Sequence, residues 1–432
     1  MNFYNLKHKE EQLNFKEATI KGQGKDKGLF FPEDISKFSN QFLKNLPNLS
    51  NEEIAFQVMK DFAGDEIPEA ELRKIVAETI AFEIPLKKVT ENISVLELFH
   101  GPTLAFKDVG ARFMSRCLGY FLKNETRKVT VLVATSGDTG GAVANGFYDV
   151  EGIEVVILYP KNRVSPVQEK QLTALGKNIH ALEVNGSFDD CQALVKQAFS
   201  DESLNEKLLL TSANSINVAR WLPQQIYYVL ALKQWLKINS ENPVICVPSG
   251  NFGNICAGIL AHHRGLPVEH FIAACNVNDV VPEYLRTEIL KPKETVATIS
   301  NAMDVGDPSN FVRILELFDK EFNQVKNKLS GYTIDDEETL KTIERVEKDY
   351  GYVLDPHGAV AFVALEKYLA ENGGKGFFLE TAHPVKFPDS VEKATGKSVE
   401  IPKSLEELMR QEKFTTEINP QYEELKEFLL KK

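Results

Sequence analysis

Short, continuously apolar segments alternate with helical segments over most of this 432-residue chain. The clearest apolar segments are KVTVLVAT, IEVVILYP, NPVICVP, VEHFIAAC and GKGFFLET. Stretches with helical spacing lie between them, for example SFDDCQALVKQAFSD and TLKTIERVEKDYG. Strands that are apolar throughout are typical of parallel sheets with helices on both faces. The pattern therefore predicts an α/β fold in which ligands bind beyond the carboxyl ends of the strands.

The first 85 residues have a different pattern and are predicted to be mostly helical. SNEEIAFQVMKDFAG opens with Ser50 and Glu53 in a capping pattern and ends at Gly64. PEAELRKIVAETIAF repeats the helical spacing, with Pro68 in the first turn. We see no long linker and no internal repeat.

Composition and net charge limit the kinds of molecule that this protein is expected to bind. The formal charge is -12, from 62 acidic and 50 basic residues, which disfavours nucleic acid and anionic membranes. The five cysteines form no CxxC pair, so neither a disulfide framework nor a zinc site is predicted. The polar N-terminus lacks a signal-peptide pattern, and no apolar run is long enough to cross a bilayer. We therefore expect a cytoplasmic protein without a bound metal.

Two loops follow predicted strands and open predicted helices. In VPSGNFGNICAG, Gly250 and Gly253 allow a tight turn whose N–H groups, with the helix dipole, can hold an anion. In ATSGDTGGAV, Ser136, Asp138 and Thr139 stand at the equivalent place and could do no more than cap a helix. Either loop could be a tight turn without a ligand, but two in one chain favour a phosphate-bearing ligand. Neither matches a P-loop or a GxGxxG motif.

Lys107 carries an amine directly after the apolar residues Leu104, Ala105 and Phe106, in the segment LELFHGPTLAFKD. Such a lysine commonly extends to solvent or forms an ion pair. Alternatively, its pKa is lowered and it acts as a nucleophile that forms a Schiff base. An amine together with a phosphate-binding loop suggests pyridoxal phosphate. Thr381, after GFFLE, offers a neutral hydroxyl, whereas His383 could be structural or catalytic.

Taken together, these segments resemble the threonine synthase family, in its long-chain, enterobacterial form. The resemblance runs from YNLK and GLFFPEDI through FAGDEIPE, HGPTLAFKD, SGDTGGAVA, YPKNRVSPVQEKQL, NSINVAR, SGNFGN, NAMDVGDPSN and DPHGAVA to TAHPVKF. It implies pyridoxal-phosphate fold type II, of the tryptophan-synthase β-subunit kind. The expected domains are an N-terminal domain (1–85), a small α/β domain (110–211), and a large α/β domain (86–109 with 212–432).

The resemblance also implies roles for individual residues. Lys107 is expected to bind the aldehyde of pyridoxal 5'-phosphate as a Schiff base and then to transfer protons. The cofactor phosphate is expected to be held by backbone N–H groups and the Asn251 side-chain amide, from Gly250, Asn251, Phe252, Gly253 and Asn254. Asp138 is expected near the phenolic oxygen and Thr381 near the pyridine nitrogen. A hydroxyl there leaves the cofactor a milder electron sink than a carboxylate would.

The implied reaction converts O-phospho-L-homoserine and water to L-threonine and phosphate, by γ-elimination and β-addition, as the last step of threonine biosynthesis. Candidate substrate-binding residues are Ser136, Thr139, Lys161, Arg163, Ser165, Asn214, Ser215, Asn217 and Arg220. Each basic residue among them could instead be a solvated surface charge. Two alternatives stay open: another enzyme of this fold, such as a serine/threonine dehydratase or a phospholyase, and a non-catalytic cofactor-binding protein. The sequence leaves a monomer and a homodimer equally open.

Overall fold

The computed structural model describes residues 1–123 and 128–431. Its strands are β1 (Asn2–Asn5), β2 (Gln12–Asn14), β3 (Phe30–Pro32), β4 (Leu86–Lys88), β5 (Ile93–Glu97), β6 (Val129–Ala134), β7 (Ile153–Pro160), β8 (Ile179–Val184), β9 (Leu209–Thr211), β10 (Val244–Pro248), β11 (His270–Cys275), β12 (Leu329–Thr333), β13 (Gly376–Glu380) and β14 (Thr415–Ile418).

Its α-helices are α1 (Phe15–Lys21), α2 (Asn40–Asn45), α3 (Asn51–Ala63), α4 (Glu69–Thr79), α5 (Lys107–Leu122), α6 (Asp138–Phe147), α7 (Pro166–Thr173), α8 (Phe188–Ser200), α9 (Glu202–Asn205), α10 (Val218–Trp221), α11 (Gln225–Trp235), α12 (Gly253–His263), α13 (Val280–Thr287), α14 (Phe311–Leu317), α15 (Phe322–Lys328), α16 (Asp336–Tyr350), α17 (Pro356–Asn372), α18 (Pro388–Thr395), α19 (Lys403–Arg410) and α20 (Tyr422–Leu430). Short 3-10 turns also occur.

The chain forms two compact units. Unit 1 comprises Met1–Asn2, Phe31–Phe106 and Trp221–Glu400. Unit 2 comprises Phe3–Phe30, Lys107–Arg220 and Ile401–Lys432. These limits differ from the expected domains mainly at the two ends of the chain, because β14 pairs with β8 and α20 packs on α8. The division into an N-terminal, a small and a large domain stays a prediction.

Unit 1 is built on a six-stranded sheet of order β12-β11-β10-β13-β5-β4. Its pairs are parallel except for β4 against β5. The first half of α17 is buried against β10 and β13, and its apolar side chains join those of the sheet in one core. Burying both faces of the sheet explains why these strands are apolar throughout.

Unit 2 contains a five-stranded sheet of order β14-β8-β7-β6-β9, with every pair parallel. Its core combines the strands with α8 and α20. A three-stranded sheet of order β2-β1-β3 lies in the N-terminal segment. That segment was predicted to be mostly helical, and its short strands were not anticipated.

The predicted α/β fold with parallel sheets is confirmed. All five predicted strands are present, as β6, β7, β10, β11 and β13. Ser50 caps α3, since its side chain accepts a hydrogen bond from the N–H of Glu53. Pro68 is the residue before α4 rather than its first turn. No helix within the described residues is both long and apolar enough to span a membrane.

Candidate active site

Lys107 is the first residue of α5, in unit 2. Its side chain is 17% exposed, and its Nζ lies 3.7 Å from Oδ2 of Asp138. The residue before it, Phe106, belongs to unit 1 and donates its N–H to the Thr381 carbonyl at 2.9 Å. The Phe106 carbonyl accepts a hydrogen bond from the Tyr227 hydroxyl. Both the N–H and the carbonyl of Phe106 are therefore hydrogen-bonded, which fixes the backbone just before Lys107. The low exposure of the Lys107 side chain shows that its amine is not a solvated surface charge.

Asp138 begins α6, directly after the turn that follows β6. It is 5% exposed, and its Oδ1 accepts a hydrogen bond from Gln168 Nε2 at 2.9 Å. The turn requires Gly137, whose φ is 135° and whose added Cβ would lie 2.5 Å from the Gln168 side chain. The hydrogen bond from Gln168 orients the Asp138 carboxylate, and the Lys107 amine lies near enough to attract it.

The cap of this turn is Thr135, which sequence reasoning did not single out. Its Oγ1 accepts hydrogen bonds from Gly137 N and Gly140 N, each at 2.9 Å. Capping was the alternative role considered for Ser136 and Thr139, and Thr135 fulfils it instead. The binding roles of Ser136 and Thr139 stay predictions.

The glycine loop joins β10 to α12 in unit 1, as predicted. Phe252 adopts a left-handed conformation with φ 61°, and α12 begins at Gly253. A Cβ on Gly250 would lie 2.6 Å from the Met303 backbone, so only glycine fits there. The first N–H groups of a helix have no partner within the helix and carry its positive dipole end. The loop thus presents donors suited to an anion.

Asn254 provides an independent test of whether this loop suits a phosphate. The residue is 6% exposed, and its Oδ1 lies 2.7 Å from the Tyr228 hydroxyl. Its Nδ2 is buried and has no hydrogen-bond partner among the described residues. A buried N–H without an acceptor is costly, and an oxyanion would satisfy it. The loop therefore fits the phosphate of pyridoxal 5'-phosphate.

Asn251 is held by the segment before α14. Its Oδ1 accepts the Ser309 N–H at 2.8 Å, and its carbonyl accepts Asn310 Nδ2 at 3.1 Å. The predicted role of its side chain toward phosphate is untested by these contacts, which occupy its oxygen atoms. Ser309 and Asn310 were part of the resembling segment NAMDVGDPSN, but no role was assigned to them from sequence.

Thr381 follows β13 and is 7% exposed. Glu380, the residue before it, is fully buried, and its Oε1 accepts the Asp355 N–H at 2.6 Å. Burial raises the pKa of Glu380, and the nearby Asp355 charge adds to the effect. His383 Nδ1 accepts the Val385 N–H at 3.1 Å, and burial lowers the pKa of His383 to about 4. His383 is therefore neutral at pH 7, and whether its role is structural or catalytic stays open.

The predicted substrate-binding residues all belong to unit 2, where several have structural partners. Lys161 pairs with Glu417 at 2.8 Å, and Arg163 is exposed. Ser165 caps α7 in a reciprocal capping box with Gln168. Asn214 and Ser215 are half-buried in the loop between β9 and α10. Their roles toward substrate stay predictions.

Asn217 and Arg220 are buried within the same unit. Asn217 Nδ2 donates to the Thr19 carbonyl at 2.9 Å, and its Oδ1 accepts the Ala219 N–H at 3.0 Å. Arg220 donates to the Ala213 carbonyl. These contacts give both residues a role in fixing the loop between β9 and α10, alongside the predicted role in binding.

Comparison with known proteins identifies the class to which this fold and site belong. Residues 80–377 match the family "Pyridoxal-phosphate dependent enzyme". Residues 2–80 match "Threonine synthase N terminus", and residues 358–429 match "Threonine synthase, C-terminal". The chain is therefore a pyridoxal-phosphate-dependent enzyme of fold type II, and its cofactor is pyridoxal 5'-phosphate, as predicted.

Full-length relatives define the family more closely. The chain is 46% identical to threonine synthase of Haemophilus influenzae over 100% of both chains. Its structure matches that of threonine synthase from Escherichia coli with a TM-score of 0.93 and 45% identity, over 100% of both chains. A threonine synthase from Brucella melitensis with bound pyridoxal phosphate gives a TM-score of 0.93 at 35% identity, over 99% of this chain and 98% of that one. The chain belongs to the threonine synthase family.

Proposed function

We propose that this chain converts O-phospho-L-homoserine and water to L-threonine and phosphate. Similarity to curated threonine synthases along the whole chain carries the proposal, because it includes the family's own N- and C-terminal segments. The reaction breaks the Cγ–O bond to phosphate and one C–H bond at Cβ, and it adds a proton at Cγ. The water hydroxyl joins Cβ, and the remaining proton of the water leaves with the phosphate. The substrate is thus a small phosphorylated amino acid, and we propose a cytoplasmic enzyme that does not bind nucleic acid.

Lys107 is the residue to which we assign covalent binding of the cofactor and proton transfer. Lys107 would hold the cofactor aldehyde, and its amine would act first as a general base and then as an acid for the protons lost at Cα and Cβ. Its low exposure and its place beside Asp138 support this role, because they set the amine apart from the solvated lysines of the surface. Bound pyridoxal phosphate supplies an electron sink for the carbon that loses its proton.

The other assigned residues orient the cofactor. Gly250, Asn251, Phe252, Gly253 and Asn254 would hold its phosphate through backbone N–H groups and the Asn251 amide. The Asn254 amide would add a donor, because its Nδ2 has no hydrogen-bond partner among the described residues. Asp138, oriented by Gln168, would lie near the phenolic oxygen. Thr381 would donate to or accept from the pyridine nitrogen, which leaves that nitrogen without a carboxylate to keep it protonated.

The phosphate of the substrate needs its own donors. We propose Ser136, Thr139, Lys161, Arg163, Ser165, Asn214, Ser215, Asn217 and Arg220 as the candidates. Arg163 is exposed, so its guanidinium is accessible for bidentate binding of phosphate. Lys161 would have to leave Glu417, an exposed pair that costs little to break.

Product analysis tests the activity. Purified protein incubated with O-phospho-L-homoserine should release phosphate and L-threonine in equal amounts. Release of ammonia and 2-oxobutanoate from threonine would instead indicate a dehydratase. Normal binding of pyridoxal phosphate without phosphate release would indicate a protein that keeps the fold without turnover.

A further inference from the structure

A guanidinium is buried next to the glycine loop of unit 1. Arg313, in α14, is fully buried. Its NH1 donates to Asn310 Oδ1 at 2.6 Å, and its Cζ lies 4.3 Å from the centroid of the Trp221 ring. Burial lowers the pKa of Arg313 to about 9, so the group still carries its charge at neutral pH.

A chain of hydrogen bonds connects this charge to the loop. Asn310 accepts from Arg313 with its side-chain oxygen and donates its Nδ2 to the Asn251 carbonyl at 3.1 Å. The backbone N–H of Asn310 reaches the same carbonyl at 3.2 Å. That carbonyl shares a peptide unit with the N–H of Phe252. Hydrogen bonds in series polarise one another, so a cation at one end strengthens the donor at the other.

Ring packing fixes the geometry of this connection. Phe311, which follows Asn310, packs edge-on against Phe252 with ring centroids 5.6 Å apart. Phe252 is 4% exposed, and its buried side chain holds this left-handed residue of the turn in place. The start of α14 therefore packs against the start of α12. Arg313 places a positive charge within this packed region.

We propose that Arg313 is a positioning residue for the cofactor phosphate, and that its buried charge acts through Asn310 on the Asn251–Phe252 peptide to strengthen the donors of the glycine loop. The inference rests on the proposed function, in which this loop holds the phosphate. Part of the affinity for the phosphorylated form of the cofactor would then come from an arginine that is remote in sequence from the loop.

The test compares pyridoxal phosphate with pyridoxal, which lacks the phosphate. Both offer the same aldehyde to Lys107, so the ratio of their dissociation constants isolates the phosphate contribution. The full-length chain, freed of cofactor, is titrated with each ligand as wild type and as Arg313→Met and Arg313→Lys. We expect Arg313→Met to reduce the preference for the phosphorylated ligand about 10-fold, within the range of typical coupling between sites. Arg313→Lys should reduce it less, because it keeps the charge but not the planar fork.

The outcomes separate this inference from the proposed function. If the wild type shows no preference for pyridoxal phosphate over pyridoxal, the assignment of the loop to phosphate fails. If the wild type shows the preference and Arg313→Met keeps it in full, the role of Arg313 is overturned. An equal loss of affinity for both ligands also overturns it, because that result indicates a purely structural role.

A second variant covers the case in which Arg313→Met does not fold, as judged by circular dichroism. Asn310→Asp keeps the side-chain volume and places a carboxylate against Arg313, which cancels the charge passed to the loop. It should lower the preference by a similar factor, whereas the matched control Asn372→Asp, at an exposed site of the same unit, should leave it unchanged. An unchanged preference in Asn310→Asp would overturn the inference.

Discussion

Lys107 shows how much the character of a single side chain depends on the backbone around it. An amine in an apolar segment is compatible with an ion pair, a snorkelling side chain or a nucleophile. The structure places it at the start of α5, mostly buried and 3.7 Å from Asp138. That separation is longer than a hydrogen bond, so this contact between Asp138 and the amine is electrostatic attraction. The structure therefore places the amine beside a buried carboxylate rather than in solvent.

Replacing Lys107 tests this role directly. We expect Lys107→Ala to abolish the visible absorbance of the covalently bound cofactor and to lower the rate of threonine formation by about 10²- to 10⁴-fold, as for loss of a positioned proton-transfer group. In the wild type, borohydride reduction followed by tryptic mapping should place the cofactor on the peptide that contains Lys107.

The control is Lys128→Ala, which removes an exposed lysine of the same unit. It should leave both the absorbance and the rate close to those of the wild type. If Lys107→Ala retained most of the activity, the assignment of the covalent amine would be wrong.

At the scale of the element, the helix starts of unit 2 combine capping with candidate binding. Ser165 caps α7 and Ser187 caps α8, each in a reciprocal capping box. Only Ser165 was a candidate for substrate binding. Because the two caps are alike, a comparison of Ser165 with Ser187 separates the contribution of a cap to stability from a contribution to substrate binding.

The paired variants Ser165→Ala and Ser187→Ala make this separation. Each should lower the free energy of unfolding by about 1 kcal/mol, because each loses an N-cap hydrogen bond. Urea unfolding measures this effect. If Ser165 also contacts the substrate, KM for O-phospho-L-homoserine should rise in Ser165→Ala alone. Equal KM values in both variants and the wild type would limit Ser165 to capping.

At the scale of the whole molecule, three half-buried histidines of unit 1 are neutral at pH 7. Burial lowers the pKa of His263, His270 and His383 to about 4. His270 stacks on Tyr368 with ring centroids 5.0 Å apart and lies 2.8 Å from Ser330 Oγ. Desolvation and the nearby Lys328 charge both favour the uncharged form of His270.

This burial predicts how stability depends on pH. The pKa of His270 in the folded state, about 4, lies below the ordinary value of 6.5, so unfolding takes up a proton between these limits. The contribution is complete above pH 6.5 and is lost as the pH falls toward 4. We expect the free energy of unfolding, from urea titration, to decrease between pH 7.5 and 5, and to decrease less in His270→Asn. Equal decreases in the two proteins would contradict this account.

Much of the fold follows from local chemistry that is legible in the sequence. The continuously apolar segments became strands of two parallel sheets, because only a sheet covered on both faces buries such residues completely. The turn around Gly250 was predictable, since the residues after a strand and before a helix must change direction within a few positions. Segments with weak patterns, such as β9 and β14, were missed because their partners lie far away in the chain.

The sequence by itself determined the fold class, the covalent amine at 107 as a candidate and the glycine loop at 250–254. Only the tertiary structure decided which polar groups meet: Gln168 with Asp138, Asn310 with Asn251, and Arg313 with Asn310. Local spacing sets which residues share a helix or a strand, because it depends on backbone periodicity. Contacts between distant segments depend on how the elements pack, and that information is not contained in the spacing of any one segment.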